Sequence, residues 1–225
     1  HRDLHSFPTR RSSDLNLQVQ TAVAKQVNLI NSEGVTLTLW DGADPANFND
    51  GKVAGGSGTW RAGGSTANWT GVDGTLNGGW QQDGVAIFSG TAGTVTVDNK
   101  GAGGAVRIGG AQFAVDGYTV NGDALTIGAP ATTVRVGDGT AAGAGMTATI
   151  ASDITGTGGL VKDDLGSLVL EGANSYSGGT TVKGGILQIA SDANLGAAAG
   201  GLALEGATLH VTGDTTSTRA VSLGT

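Results

Sequence analysis

The sequence predicts an all-β solenoid, a parallel β-helix of short stacked strands, on three observations. Apolar doublets recur about every seven to twelve residues from Val85 to Leu223, with turn residues such as Asp116-Gly117, Asn121-Gly122 and Glu205-Gly206 between them. No window carries a convincing helical period. Glycine accounts for 42 of the 225 residues, with three prolines, one methionine and no cysteine, and the absence of a Gly-X-Y period excludes collagen. Val, Leu, Ile and Phe together make 49 residues, 22% of the chain, just above the ~20% below which disorder is the default. That is thin for a globular core. It suffices for a narrow stacked core to which each strand gives one or two apolar side chains.

Residues 1–15 stand apart. HRDLHSFPTRRSSDL resembles one reading frame of a common sequencing adaptor and is expected to be a disordered artefact, excluded from fold reasoning. With it go the basic pair Arg10-Arg11 and two of the three histidines. From Asn16 onward nine Lys/Arg stand against seventeen Asp/Glu, a net charge of −8. An acidic surface without basic clusters argues against nucleic acid and disfavours anionic lipid. No run of about 18 apolar residues offers a membrane-spanning helix.

From Leu17 to Leu29, odd positions (Leu17, Val19, Thr21, Val23, Lys25, Val27, Leu29) alternate with Gln, Ala and Asn, which predicts a strand. After Asn31-Ser32-Glu33-Gly34, Val35, Leu37 and Leu39 repeat the pattern. Between Trp40 and Trp80 alternation fades into Gly, Asp, Asn and Trp, and all four tryptophans (Trp40, Trp60, Trp69, Trp80) fall there. The expected organisation is N-terminal strands with a Trp/Gly-rich flanking or capping region over 16–84, then regular coils over 85–225. The doublets begin at Val85/Ile87, Val95/Val97 and Val106/Ile108, and reach Leu209/Val211 and Val221/Leu223. At roughly 20–25 residues per coil, residues 16–225 predict about eight to ten coils. At ~4.8 Å per stacked strand the rod is about 40–50 Å long. A β-sandwich would use the Asn-Gly and Asp-Gly pairs as antiparallel hairpin turns. Scarce proline, few aromatics and doublets without a stopping point favour the β-helix.

The most informative stretch is 156–189, GTGGLVKDDLGSLVLEGANSYSGGTTVKGGILQI. Alternation in Leu168-Val169-Leu170 turns two leucines inward and Val169 outward. Gly172, Gly178-Gly179 and Gly184-Gly185 supply backbone forms that a side chain obstructs. Asn174 suits a left-handed corner and can hydrogen-bond stacked backbone. The positions Gly158, Gly159, Leu160, Lys162, Gly166, Leu168, Leu170, Gly172, Asn174, Tyr176, Gly178, Thr180 (or Thr181), Val182, Gly185 and Leu187 resemble the passenger-associated transport repeat of bacterial autotransporters. The acidic pair Asp163-Asp164 departs from that pattern, which has glycine or a small residue there. The tryptophan- and glycine-rich stretch from Trp40 to Ile127 also looks like the region preceding such repeats.

The resemblance implies a right-handed, single-stranded parallel β-helix of the pectin-lyase-like kind. It implies a fragment of a secreted passenger domain, truncated at its C-terminus and exposed at the surface of a Gram-negative bacterium. Its implied partners are its own C-terminal outer-membrane β-barrel and host or matrix surface ligands. The implied function is a non-catalytic scaffold or adhesin-like surface, without cofactor, metal or nucleic acid. The alternative is a polysaccharide-active lyase or glycosidase β-helix. Asp98 with Lys100, Arg107, Asp116, Arg135 with Asp138, and Asp163-Asp164 are the charges that could line its groove. Solvated corners are the plainer reading, since β-helix corners collect Asp and Asn. A smooth outer face of Thr, Ser, Asn and Gly would sink the enzyme reading. His210, between Leu209 and Val211, is expected outward and without a triad partner. The oxygen-rich loop Asp41, Asp44, Asn47, Asn49, Asp50, Gly51 lacks EF-hand spacing and reads as turn chemistry. The glycines at 101–104 have no following Gly-Lys-Ser/Thr and form no phosphate loop.

Overall fold

The computed structural model describes residues 17–20, 28–31, 37–63, 66–128 and 130–224. Residues 1–15, expected to be adaptor-derived, lie outside the described residues, as do 21–27 of the first expected strand. Described parts of that strand form two pieces, Leu17–Gln20 and Asn28–Asn31, paired antiparallel.

The rest is a parallel solenoid. Eight strands stack in parallel in the first sheet: Leu37–Trp40, Val85–Phe88, Gly110–Phe113, Ala131–Val136, Gly159–Asp163, Thr180–Val182, Leu202–Glu205 and Val221–Gly224. Seven form the second: Gly58–Trp60, Thr94–Val97, Thr119–Gly122, Thr147–Ile150, Ser167–Leu170, Ile186–Ile189 and Thr208–Val211. A third, shorter sheet holds Val106–Ile108, Leu125–Ile127 and Ile154–Gly156. Asn121-Gly122 makes no hairpin, since its strand pairs in parallel with strands one coil before and one coil after. The sandwich is thereby excluded.

One column of the first sheet, Val85, Gly110, Thr133, Val161, Thr181, Ala203 and Ser222, gives the pitch. Successive steps are 25, 23, 28, 20, 22 and 19 residues. First-sheet strands stay between three and six residues while turns absorb most of the variation, the 28-residue step holding the short 3-10 turn Ala141–Gly145. Six regular coils run from Val85 to Val211, fewer than the eight to ten expected, because residues 41–84 go into an excursion that gives only Gly58–Trp60 to the parallel stack. Eight strands at ~4.8 Å give a stack about 34 Å long.

The core is built of columns of stacked side chains. Val95, Val120, Ile150, Leu170 and Ile189 line one column of the second sheet; Ala148, Leu168 and Leu187 line its neighbour. The doublet Val85/Ile87 does the opposite of what alternation suggests. Ala86 and Phe88 point into the core, while Ile87 and Leu39 form a separate outer cluster under Val53 of the excursion. With both faces of this strand covered, period two cannot tell inside from outside.

The excursion closes the N-terminal end. Trp69–Thr70 pairs antiparallel with the edge of Leu37–Trp40, and Asn77–Gly78 pairs antiparallel with Trp69–Thr70. Trp40, Trp60, Trp69 and Trp80 are buried with ring centroids 4.7–5.0 Å apart in successive contacts. Phe88 and Phe113, stacked at 4.8 Å, continue the aromatic file into the coils. Over the first strand of the third sheet, Gln82 stands in for backbone: its amide donates to the Ala105 carbonyl at 2.7 Å and accepts from the Arg107 N–H at 2.8 Å. No described helix is long and apolar enough to cross a membrane.

Candidate functional site

Residues 156–189 occupy two coils. Gly159 opens a first-sheet strand in which Leu160 and Lys162 point inward and Val161 outward. Gly166 precedes Ser167–Leu170, whose Leu168 and Leu170 are core. Gly172 turns the next corner against the Ser152 carbonyl, 2.5 Å from where a Cβ would stand. Gly178 lies at the corner before Thr180–Val182, where Thr180 and Val182 face in and Thr181 faces out. Gly185, at φ +63°, leads into Ile186–Ile189 and its inward Leu187.

Three buried polar groups organise this unit. Lys162 is wholly buried between Val134 and Val182 of adjacent coils. Its ammonium donates to the carbonyls of Asp164 at 2.5 Å, Gly166 at 2.6 Å and Gly184 at 2.8 Å. The first two belong to its own turn and the third to the next coil's turn. Burial pulls its pKa down to about 8, against the opposing charges of Asp164 and Asp163.

Asn174 replaces a third-sheet strand. Its Oδ1 accepts from the Ile154 N–H at 2.7 Å and its Nδ2 donates to the Asn194 carbonyl at 2.6 Å, joining the coil before to the coil after. Asn194, 20 residues on, returns the contact by donating to the Gly172 carbonyl at 2.9 Å. Asn174 is not among the residues with left-handed backbone; its side-chain amide makes the bridge beside two backbone bonds, its own N–H to the Ala193 carbonyl and the Ser175 N–H to that of Ile154, both at 2.9 Å. Asn174→Ala is expected to cost about 2–3 kcal/mol, since it orphans a buried N–H and a buried carbonyl. Chemical denaturation measures it, and a loss below about 0.5 kcal/mol would refute the bridge.

Tyr176 is fully buried, its hydroxyl 2.7 Å from Thr180 Oγ1, which in turn donates to the Leu195 carbonyl at 3.2 Å. Burial pushes the phenol up to about 12.

The acidic pair finds a use at its corner. Asp164 takes φ +70°, the conformation that explains a small residue in the pattern. Its carboxylate accepts from Arg135 at 3.1 Å and from the Gly139 N–H at 3.2 Å.

Of the charges considered for a catalytic groove, Arg135 and Asp164 meet across adjacent coils, and Asp98, Arg107, Asp116 and Asp138 bond to groups outside the set. Asp98 pairs with Arg61 at 2.6 Å, Arg107 with Asp83 at 2.7 Å, and Arg135 with Asp164 rather than Asp138. Asp116 accepts from the Thr147 N–H at 2.7 Å, and Asp138 accepts from Thr140 within its own turn. A general acid needs a carboxyl whose pKa is raised. Here the displaced ones move down: Asp83 and Asp98 through hydrogen bonds from Arg107 and Arg61, Asp138 through Thr140.

The outer face of the second sheet carries Thr94, Thr96, Thr119, Asn121, Thr147, Thr149, Ser167, Val169, Ile186, Gln188, Thr208 and His210, with no carboxylate among them. His210 is exposed, its Nδ1 3.1 Å from the Gln188 side chain. Among the described residues no three His, Cys, Asp or Glu gather as a metal site. In the loop 41–51, Asp41 accepts from Ala54 N–H and Asn77, Asp44 caps Pro45–Asn47, and Asp50 accepts from the Lys52 N–H. Sequence reasoning missed Arg219, whose acceptors are almost all backbone and leave no side-chain pattern.

Residues 160–189 match the passenger-associated-transport-repeat family. Over 211 residues, 91% of this chain, the sequence is 49% identical to the Adhesin BmaC autotransporter of Brucella suis biovar 1 (strain 1330). The chain spans about 6% of that adhesin's length. No solved structure matches the chain. The chain thus carries a passenger-associated transport repeat over 160–189 and, over most of its length, resembles part of an autotransporter adhesin.

Proposed function

We propose that this chain is a length of non-catalytic adhesive rod, exported through the outer membrane of a Gram-negative bacterium and displayed at its surface. The carrying observation is the second sheet's outer face, a run of hydroxyl, amide and apolar side chains with one imidazole, His210, and without a carboxylate. Such a face offers many weak contacts and no acid–base pair. The likeness to an adhesin of which the chain spans only about 6% supports summation of such contacts along a longer rod. In the whole protein the rod's partners are a C-terminal outer-membrane β-barrel and ligands on host or matrix surfaces. Residues 16–84 serve as N-terminal strands and cap, residues 85–225 as coils, and the repeat positions from Gly159 to Leu187 as structural positions. The right-handed coil sense follows the rule for parallel crossovers in one sheet.

The test pairs two assays on the purified chain. Beads carrying it are expected to adhere to host cells or matrix proteins more than beads carrying an unrelated acidic β-protein. Incubation with pectate, hyaluronan and other acidic polysaccharides is expected to release no unsaturated or reducing ends. Chain-dependent cleavage would reverse the reading in favour of the lyase or glycosidase. Adhesion no better than the control would remove the adhesive part.

A further inference from the structure

The connection between Thr208–Val211 and Val221–Gly224 is exposed from Thr212 to Thr218, then turns one side chain inward. Arg219 is 1% exposed at its side chain. Its Nε donates to Asp192 Oδ1 at 2.7 Å. One terminal nitrogen donates to the carbonyls of Ala197 at 2.7 Å and Gly200 at 3.0 Å. The other donates to those of Asp192 at 3.0 Å and Gly196 at 2.6 Å. A guanidinium has five N–H groups, and all five are engaged.

Every acceptor lies in the corner 192–200 of the coil before. That corner begins as the 3-10 turn Asp192–Leu195 and swings at Gly196, φ +79°. Four backbone carbonyls and a carboxylate converge on one point. Without the guanidinium these acceptors would face one another with a donor removed from each, the Ala197 carbonyl alone among the four keeping a loop donor, the Gly200 N–H at 2.9 Å. The connection holds the corner once more, since the Asp192 N–H donates to Thr215 Oγ1 at 3.0 Å, and it is braced within itself by the Arg219 N–H, which donates to Ser217 Oγ at 3.2 Å.

We propose that Arg219 is a latch: the corner 192–200 takes its closed form only when the connection 212–220 docks on it, so each such surface is set by the coil that follows. The latch is acid-sensitive. Arg219, then Ser217, hold the Asp192 carboxyl below its usual range. Its contribution is therefore complete above the ordinary carboxylate pKa and is lost as pH falls through the lower folded value. Tyr176, the other titratable group beside the guanidinium, stays neutral throughout, its phenol raised to about 12.

Hydrogen exchange on the full chain tests this. In Arg219→Ala, peptides covering 192–200 are expected to lose protection about 100-fold while those covering 85–127 keep theirs. Guanidinium chloride far below denaturing concentration restores the corner in that variant and leaves the parent unchanged. Arg219→Lys, with three donors from one point, does not restore it. Unchanged protection at 192–200, or equal loss through 85–127, overturns the latch. A second measurement needs no destabilised variant: in the parent, acid opens 192–200 at a higher pH than 85–127, and Asp192→Asn abolishes that difference. Simultaneous opening in the parent also overturns it.

Discussion

Replacing Lys162 by methionine is expected to destabilise the chain by about 3–5 kcal/mol, measured by chemical denaturation. The neighbours make the choice of methionine informative. Val134 and Val182 stack directly on either side, so an apolar side chain of similar length packs well there. Replacing a buried ion pair by hydrophobic groups is often neutral, because both charged partners disappear. Here the partners are the carbonyls of Asp164, Gly166 and Gly184, which remain after the substitution. Three carbonyls lose the ammonium at once, only that of Gly166 keeping a loop donor, the Ile186 N–H at 3.2 Å, and that cost exceeds the desolvation regained. A loss under about 1 kcal/mol would show that water or turn rearrangement satisfies them.

The same residue fixes a pH dependence. Burial sets its folded pKa near 8, below the usual 10.5 of the unfolded chain. Between those values the unfolded chain holds a proton that the folded chain has released. Stability contributed by this group therefore rises with pH from about 8 to about 10.5, and is lowest where the ammonium is charged in both states. The difference in stability between parent and Lys162→Met should widen across that window. A constant difference would mean that the three carbonyls hold the ammonium's pKa near its ordinary value.

What the sequence disclosed follows from which physical rules act locally. Period two and glycine corners are local, so the strand pattern, the inward Leu168-Leu170 and Leu187-Ile189 pairs and the outward His210 were all legible. Alternation also places Lys162 inward after Leu160, but charge argues against burial, and only the convergence of turns from two coils resolves the conflict. Val85/Ile87 misled because the cover over its outer face comes from residues some thirty positions earlier. Phe88, between a serine and an isoleucine, gave no doublet yet links the tryptophans to the core. Arg219 was invisible for a different reason. Its partners lie 19–27 residues upstream and are mostly main chain, so no residue type marks them.

Truncating Trp69 to alanine is expected to cost about 3–5 kcal/mol, and to cost it at one end of the rod. Its ring meets Trp40, Trp60, Trp80 and Phe88 at centroid distances of 5.0, 4.9, 4.7 and 5.8 Å, so its removal leaves a cavity walled by rings that cannot collapse together. Its strand also seals the edge of Leu37–Trp40. In a stacked array each coil touches only its neighbours, so the loss need not travel to residues 160–189. Two signals separate the ends. All four tryptophans lie between Trp40 and Trp80, so intrinsic fluorescence reports the cap alone, while far-ultraviolet circular dichroism reports mainly the coils. In Trp69→Ala the fluorescence transition should move to clearly lower denaturant than the dichroism transition. If both shift together by the same amount, the cap and the repeat coils unfold as one unit, and the nearest-neighbour account of this solenoid fails. Separate transitions would mean that the tryptophan cluster protects the exposed first strands, while the repeat holds its own coils through Lys162, Asn174 and Tyr176.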